Sequence, residues 1–313
     1  MIENLDLICI GEGLIELSSD ESLSYTNQLK KFYGGDTICT AVAAARLGSK
    51  VGFVSRVGID FFKDFLIESW QMEDIDTSQI KLVDGFNALY FITRPENKAK
   101  EFAYYRRKSA ATNLSIDDIS PSYIEKASIV YSTGITQSLS ISAAEAVQRA
   151  FKIAKEKGIK VAYDPNYSPL LQDVTEAKES FEQVIDYVDI MFLNAKHDAL
   201  EIFDLDSPEK IIKYLNDRGV SMVVVKEGAE GYTIGYNGEI AHIPAITENL
   251  VDSTNSGDAF NGAFLHGISS GLTPFEAARL ASLVVKYQVQ GIGAVNSMPH
   301  KDVVYTEFKN FGN

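Results

Sequence analysis

Short runs of consecutive apolar residues recur along the chain, separated by longer stretches whose apolar positions fall three and four apart. The runs at 5–10, 51–54, 128–131, 160–163, 190–193 and 222–225 predict strands buried on both faces. The stretches at 37–47, 142–157, 175–187 and 208–218 predict helices, several followed by Gly48, Gly158 or Gly219 where helix C-termini favour glycine. Their alternation reads as right-handed crossover units. The expected fold class is therefore α/β, with an open, doubly wound and mostly parallel sheet whose ligands bind outside the carboxyl ends of the strands.

Two regions break the rhythm. Residues of about 12–34 and 84–108 contain alternating segments, Leu14-Ile15-Glu16-Leu17, Ala88-Leu89-Tyr90-Phe91-Ile92 and Phe102-Ala103-Tyr104-Tyr105-Arg106, which suit half-exposed antiparallel strands. A few strands projecting from an α/β body need support, so a lid, a contact with a second copy, or both are expected there. Further on, 231–236 and 239–243 flank Asn237-Gly238, a strong hairpin signal. Helical patterns follow at 259–270, 274–290 and 300–309. The whole chain, 1–313, is expected to form one large α/β domain carrying that lid.

Composition narrows the partners. A formal net charge of −14 and a pI near 4.8 argue against a nucleic-acid footprint or an anionic membrane surface. They leave room for a small anionic substrate, because Arg106-Arg107-Lys108 forms a local positive patch. Cys9 lies in an apolar strand and Cys39 in an alanine-rich helix, without disulfide or metal-ligand spacing. His197, His242, His266 and His300 are scattered, and no residue is assigned as a direct metal ligand. The N-terminal Met-Ile-Glu-Asn-Leu-Asp lacks the features of a signal peptide and no apolar run matches a bilayer, so a cytoplasmic protein is expected.

The most informative stretch is Asp252-Ser253-Thr254-Asn255-Ser256-Gly257-Asp258-Ala259-Phe260. It reads as a loop entering a helix, with small residues that admit a ligand and Asp258 in the first turn. Free amides and the positive dipole end would cradle an anion there. The same residue types also make an ordinary capped turn. Gly34-Gly35-Asp36-Thr37 before the small-residue helix, and Lys226-Glu227-Gly228-Ala229-Glu230-Gly231 after an apolar strand, offer two more close-approach loops. No Walker A spacing or Gly-x-Ser-x-Gly elbow occurs, and Gly11-Glu12-Gly13-Leu14-Ile15-Glu16 only imitates a dinucleotide fingerprint.

Taken together these segments resemble the ribokinase-like (PfkB) carbohydrate kinases over essentially the whole chain. The first family signature matches Gly34, Gly35, Gly48 and Gly58, and the second matches Asp252, Thr254, Gly257, Asp258 and Phe260. The resemblance implies a three-layer α/β/α sandwich with a small β lid, commonly dimeric through that lid. It implies ATP- and Mg2+-dependent phosphorylation of a sugar hydroxyl, and leaves a monovalent cation open. Within the family, Gly34-Gly35-Asp36-Thr37, Tyr90, Tyr104-Tyr105-Arg106, Ser109-Ala110 and Ser132-Thr133-Gly134-Ile135-Thr136 look most like 2-keto-3-deoxygluconate kinases. A neutral-sugar kinase such as a fructokinase, and a non-catalytic sugar-binding relative, are the alternatives.

By this resemblance Asp258 is the catalytic base, supported by Asn255, Ser256 and Gly257. The sugar falls to Gly34, Gly35, Asp36, Tyr90, Tyr104, Arg106, Asn166 and Asp258, with Arg106 placed to pair a carboxylate. The nucleotide falls to Asn166, Ser168, Asn194, Lys226, Gly228, Ala229, Gly231, Asn255 and Gly257. An ordinary aspartate titrates at about 4, which would leave Asp258 ionised at neutral pH. Four positions depart from the family pattern: Cys39 for an Asn that contacts sugar, Ser168 for an Arg, His197 for the Glu of the Asn-x-x-Glu motif begun by Asn194, and Asn255 for a Gly. The last departure is tolerable, because Asn accepts left-handed backbone angles better than most residues.

Overall fold

The computed structural model describes residues 4–95, 100–246 and 249–309. The first three residues, and 96–99 of the expected lid region, lie outside the described residues. Among the described residues thirteen strands run in chain order: β1 (Leu5–Ile10), β2 (Leu14–Ser19), β3 (Lys30–Gly34), β4 (Val51–Gly58), β5 (Asp76–Val83), β6 (Leu89–Thr93) and β7 (Glu101–Tyr105). They continue with β8 (Ala127–Thr133), β9 (Lys160–Asp164), β10 (Ile190–Asn194), β11 (Met222–Lys226), β12 (Gly231–Tyr236) and β13 (Glu239–Pro244).

Nine of them form one sheet in the order β13-β12-β11-β10-β9-β8-β1-β4-β5. Neighbours are parallel from β11 to β5, and only the β12–β13 hairpin runs against its neighbours. Period-two alternation explains why the apolar runs are continuous. Leu7 and Cys9 of β1 join one core cluster while Ile8 and Ile10 join the other, and Met222 and Val224 of β11 are likewise separated from Val223 and Val225. One core includes residues of the helices Asp36–Leu47, Ser256–Ser269 and Pro274–Gln288, and the other includes residues of Ile141–Glu156, Val174–Val184 and Pro208–Asp217. The sheet is thus covered on both faces, and both cysteines lie buried and free in the core.

The remaining four strands form the small sheet β3-β2-β6-β7. Here the expectation of purely antiparallel strands is corrected. β2–β3 and β6–β7 are antiparallel hairpin-type pairs, but β2 and β6 join them in parallel, Ile15 opposite Leu89 and Glu16 opposite Tyr90. Each of β2 and β6 follows a strand of the main sheet, β1 and β5, so both leave the body in the same sense. The helix Lys63–Met72 and edge strand β5 are also present, between the two regions where strands were expected.

Two helices set the position of the site. Helices 36–47 and 256–269 pack closely, because a Cβ at Gly262 would lie 2.1 Å from the carbonyl oxygen of Thr40. Thr40 Oγ1 also donates to the carbonyl of Asp258 at 3.2 Å, which ties the two first turns together. Gly262→Ala is expected to force the helices apart and cost about 1–3 kcal/mol, read as a lower denaturation midpoint. An unchanged midpoint would mean that the close approach does not limit the packing.

Candidate active site

The loop after β13 ends in a left-handed residue. Asn255 has φ 59° and stands as N-cap of helix 256–269, yet its side chain caps no backbone amide. Instead Asn255 Nδ2 donates to Asp258 Oδ2 at 2.7 Å, while Asn166 Nδ2 donates to Asp258 Oδ1 at 3.3 Å. Of the loop amides, Ser256 N–H turns back to the carbonyl of Ser253 at 3.2 Å. The amides of Asn255, Gly257 and Asp258 have no partner among the described residues, the arrangement that suits an anion.

Carboxylates crowd the same edge of the sheet. Asp36 opens helix 36–47 behind Gly35, whose φ of 124° suits glycine, and accepts a hydrogen bond from Thr133 Oγ1 at 2.5 Å. Asp164, at the end of β9, accepts Lys226 Nζ at 2.5 Å and Asn261 Nδ2 at 2.7 Å. Asp198 accepts the backbone amides of Tyr167 and Asn194 at 2.8 and 2.5 Å. Burial, then the negative charge of Asp36 and Asp164, pushes Asp258 up to about 7 against the pull of Lys226. The expectation of an ordinary aspartate near 4 is thus overturned, because the sequence does not reveal which acids the fold gathers. Burial and Asp164 push Asp198 up to about 7 as well. Burial alone would lower Lys226, but Asp164 and Asp198 outweigh it and hold the ammonium above its usual value.

Two cavities flank Asp258. The first, of about 450 Å³, lies under the small sheet and is lined by Gly35, Asp36, Tyr90, Tyr104, Arg106, Asn166 and Asp258 among the expected sugar residues. Gly34 does not line it. A Cβ there would lie 2.5 Å from the hydroxyl of Tyr90, so Gly34 makes space for that ring, whose hydroxyl donates to Glu16 Oε2 at 2.5 Å. The second cavity, of about 480 Å³, is lined by Asn166, Asn194, Lys226, Gly228, Ala229, Asn255, Ser256, Gly257 and Asp258. Ser168, expected beside the nucleotide, lines the first cavity instead. Gly231 lines neither: with φ 117° and a would-be Cβ 2.2 Å from the carbonyl of Ile243, it serves the β12–β13 hairpin. Asn166, Ser253, Asn255 and Asp258 line both cavities, so the two spaces meet at the Asp258 carboxylate.

The departures also find their places. Cys39 is fully buried in the core and lines neither cavity. His197 lines the second cavity and reaches Glu201 at 3.2 Å. Asn194 spends its side-chain oxygen on the amides of Lys196 and His197, at the start of a wide π-type turn over Ala195–Leu200. Among the described residues, no group of three or more His, Cys, Asp or Glu side chains is arranged to hold a metal.

Several site residues escaped the sequence reading. Glu12, one residue beyond Gly11 at the end of β1, is buried on the wall of the first cavity and forms an ion pair with Arg106. Arg94, just after β6, and Lys100, just before β7, both pair with Asp252, Lys100 at 2.7 Å, and Asp252 Oδ1 also accepts Thr254 N and Oγ1 at 3.0 and 2.6 Å. Burial would raise Asp252, but Lys100, Thr254 and Arg94 prevail and hold its carboxyl below the usual range. Tyr232 and the apolar Ile246, Leu250, Val285 and Val289 also line the second cavity. The only sequence signal for these was the apolar pattern.

A sheet covered by helices on both faces, a three-layer α/β/α sandwich, with a small sheet over one of two joined cavities is the architecture of a carbohydrate kinase. The model of the pfkB family of carbohydrate kinases matches residues 4–301, and the chain belongs to that family. It is 31% identical to the 2-dehydro-3-deoxygluconokinase of Thermoproteus tenax over 88% of this chain and 86% of that one. It is 29% identical to the 2-dehydro-3-deoxygluconokinase of Dickeya dadantii over 93% and 96%. Among solved structures, an uncharacterized sugar kinase of Pyrococcus horikoshii in complex with ATP superposes with a TM-score of 0.79 at 27% identity, covering 97% of this chain and 99% of that one.

The raised value of Asp258 has a stability consequence. Its folded value of about 7 exceeds the unfolded value of about 4, so between these the folded state binds more protons and loses stability as pH rises. Asp258→Asn removes that loss. The melting temperature of the variant relative to wild type is expected to climb between pH 5 and pH 8.5, and a flat difference would contradict the buried, charge-crowded setting.

Proposed function

We propose that the protein transfers the γ-phosphoryl group of ATP to a primary hydroxyl of a sugar acid, 2-keto-3-deoxygluconate, giving its 6-phosphate. The observation that carries this reading is the junction of the two cavities at Asp258, beside amides with no internal partner. Sugar occupies the space under the lid sheet and nucleotide the space by Lys226 and Gly228.

Asp258 lies between the two, oriented by Asn166 and Asn255. A carboxylate with a value of about 7 is a stronger base than an ordinary aspartate and is about half ionised at neutrality. It accepts the proton of the attacking hydroxyl, late in a loose transition state. The amides of Asn255, Gly257 and Asp258 answer the charge on the transferring phosphoryl oxygens. Lys226 borders this loop, since a Cβ at Gly257 would lie in ordinary contact with its Nζ at 3.4 Å. The carboxylates around Lys226, Asp164 and Asp198 among them, would suit a hydrated Mg2+, which would supply neutralisation of phosphate charge. The small sheet, with β2 and β3 from 12–34 and β6 and β7 from 84–108, closes over the sugar and excludes water.

A neutral sugar such as fructose is the second reading, favoured by one observation: Glu12 already answers the charge of Arg106. In this proposal the enzyme is a cytoplasmic single-domain protein that pairs through its lid. Tyr105, on the edge strand β7, is 62% exposed and offers an apolar seat for a second copy. Sedimentation is expected to give a homodimer or larger homo-oligomer that Tyr105→Asp disrupts, and a wild-type monomer would remove that part of the proposal.

Turnover, measured as ADP release over a panel of sugars and sugar acids, is expected to rise with pH through about 7 and then level off. Asp258→Asn should lower it at least about 100-fold while sugar binding persists. Arg106→Ala should lose acid sugars selectively. Equal losses on neutral sugars would favour the second reading, and undiminished turnover in Asp258→Asn would remove the base assignment.

A further inference from the structure

Glu12 has no part in the chemistry above, yet it is 1% exposed and lines the sugar cavity. It stands just past the carboxyl end of β1, held in place from two sides. Thr37 Oγ1 donates to its carbonyl at 3.5 Å, and a Cβ at Gly35 would lie 2.8 Å from the same oxygen. Its carboxylate meets Arg106 of the lid, which is itself 8% exposed. The contact is one of charge rather than of aligned hydrogen bonds: both Glu12 oxygens and Arg106 Nη2 are buried without a well-directed partner. Asp36, at the start of helix 36–47, and Tyr104, on β7, are the other titratable groups that act on this pair.

A buried carboxylate beside a lone guanidinium is stable while the two answer each other, and becomes costly when the cation is drawn elsewhere. A sugar acid draws it elsewhere. Resting on the functional reading above, we propose that Glu12 is a proton-linked specificity residue: it holds Arg106 in the pocket when no substrate is present, and takes up one proton from solvent when a substrate carboxylate captures Arg106. The balance is simple. The bound state gains one carboxylate from the substrate and loses one by protonation of Glu12, so the charge around Arg106 is unchanged. A neutral sugar leaves the Glu12–Arg106 pair intact and calls for no such proton. Burial, with Asp36 adding to it against Arg106, already pushes Glu12 up to about 7, so removal of the guanidinium suffices to protonate it at physiological pH.

Linkage fixes the sign. A free site that is ionised above about pH 7 and a bound site that remains protonated give a dissociation constant for sugar acids that rises with pH, approaching about tenfold per pH unit at the one-proton limit. The test is calorimetric binding of 2-keto-3-deoxygluconate to the full chain without ATP, at pH 6 to 9 and in buffers of different ionisation heat. Wild type is expected to take up close to one proton at pH 8, and Glu12→Gln, which carries no charge to neutralise, close to none, with a dissociation constant nearly flat in pH. Fructose serves as the control for protons taken up by Asp258.

Binding of the sugar acid by wild type with no proton uptake would overturn the proposal and leave the functional reading standing. Uptake that persists unchanged in Glu12→Gln would assign the proton to another group and also overturn it. No binding of the sugar acid at any pH would overturn both. A purely structural role for Glu12 would shift affinity in the variant equally at every pH, which the pH profile separates from the proposed one.

Discussion

Lys226 is the buried cation around which the carboxyl edge of the main sheet is organised. Its Nζ sits 2.5 Å from Asp164 Oδ2, with Asp198 and Asp258 close enough to raise its proton affinity. These acids come from three separate places: the end of β9, the turn after β10 and the first turn of helix 256–269. Nothing in their local structure requires them to approach one another. Removing one partner of such a buried pair leaves an uncompensated charge, a loss of about 3–5 kcal/mol. The lysine therefore fixes strand ends and helix start in a common frame, with its ammonium beside Gly257.

The same crowding that Lys226 moderates gives the site its chemistry. One ammonium does not fully offset Asp164, Asp198 and Asp258, and burial together with the remaining charge raises the proton affinity of Asp258 and Asp198. A carboxyl that titrates near neutrality is thus obtained from an aspartate by burial first and by neighbouring aspartates second, at the expense of folded-state stability. The open amides at the start of helix 256–269 arise from backbone alone. A left-handed Asn255 starts the helix without capping it, so amides that a serine or aspartate N-cap would have satisfied stay open. Asp252 then joins this loop to the lid, since Arg94 and Lys100 on one side and Thr254 on the other share its carboxylate.

The parts of this architecture that were legible in the sequence are those governed by local pattern. Continuous apolar runs marked β1, β4 and β8 to β11, Asn237-Gly238 marked the β12–β13 hairpin, and small residues at 34–36 and 255–258 marked the two helix starts. Strand β5 was not legible because it is an edge strand of mixed polarity, half-buried along its length without clean alternation. The parallel pairing of β2 with β6 is a property of where both strands leave the body, which periodicity does not encode. Glu12 was passed over inside a run that imitates a dinucleotide fingerprint, and only the fold brings it to Arg106. Ser168 and Gly231, both expected beside the nucleotide, serve instead the other cavity and the close β12–β13 pairing, because a motif fixes spacing and not the direction of a side chain.

The contact among Gly34, Tyr90 and Glu16 has a consequence for how this pocket can change over generations. Any side chain at position 34 collides with the Tyr90 hydroxyl, and loss of that hydroxyl takes from Glu16, buried in the lid sheet, its side-chain donor and leaves the backbone at Ala294 and the charge of Arg94 to hold it. A smaller ring at 90 thus makes room for a side chain at 34 only by weakening the hold on an acid at 16. The three positions constitute one heritable unit, able to move to a new arrangement by concerted replacement and held in place against single steps. This corner of the sugar site should therefore diverge in jumps between lineages, while the walls around it drift one residue at a time.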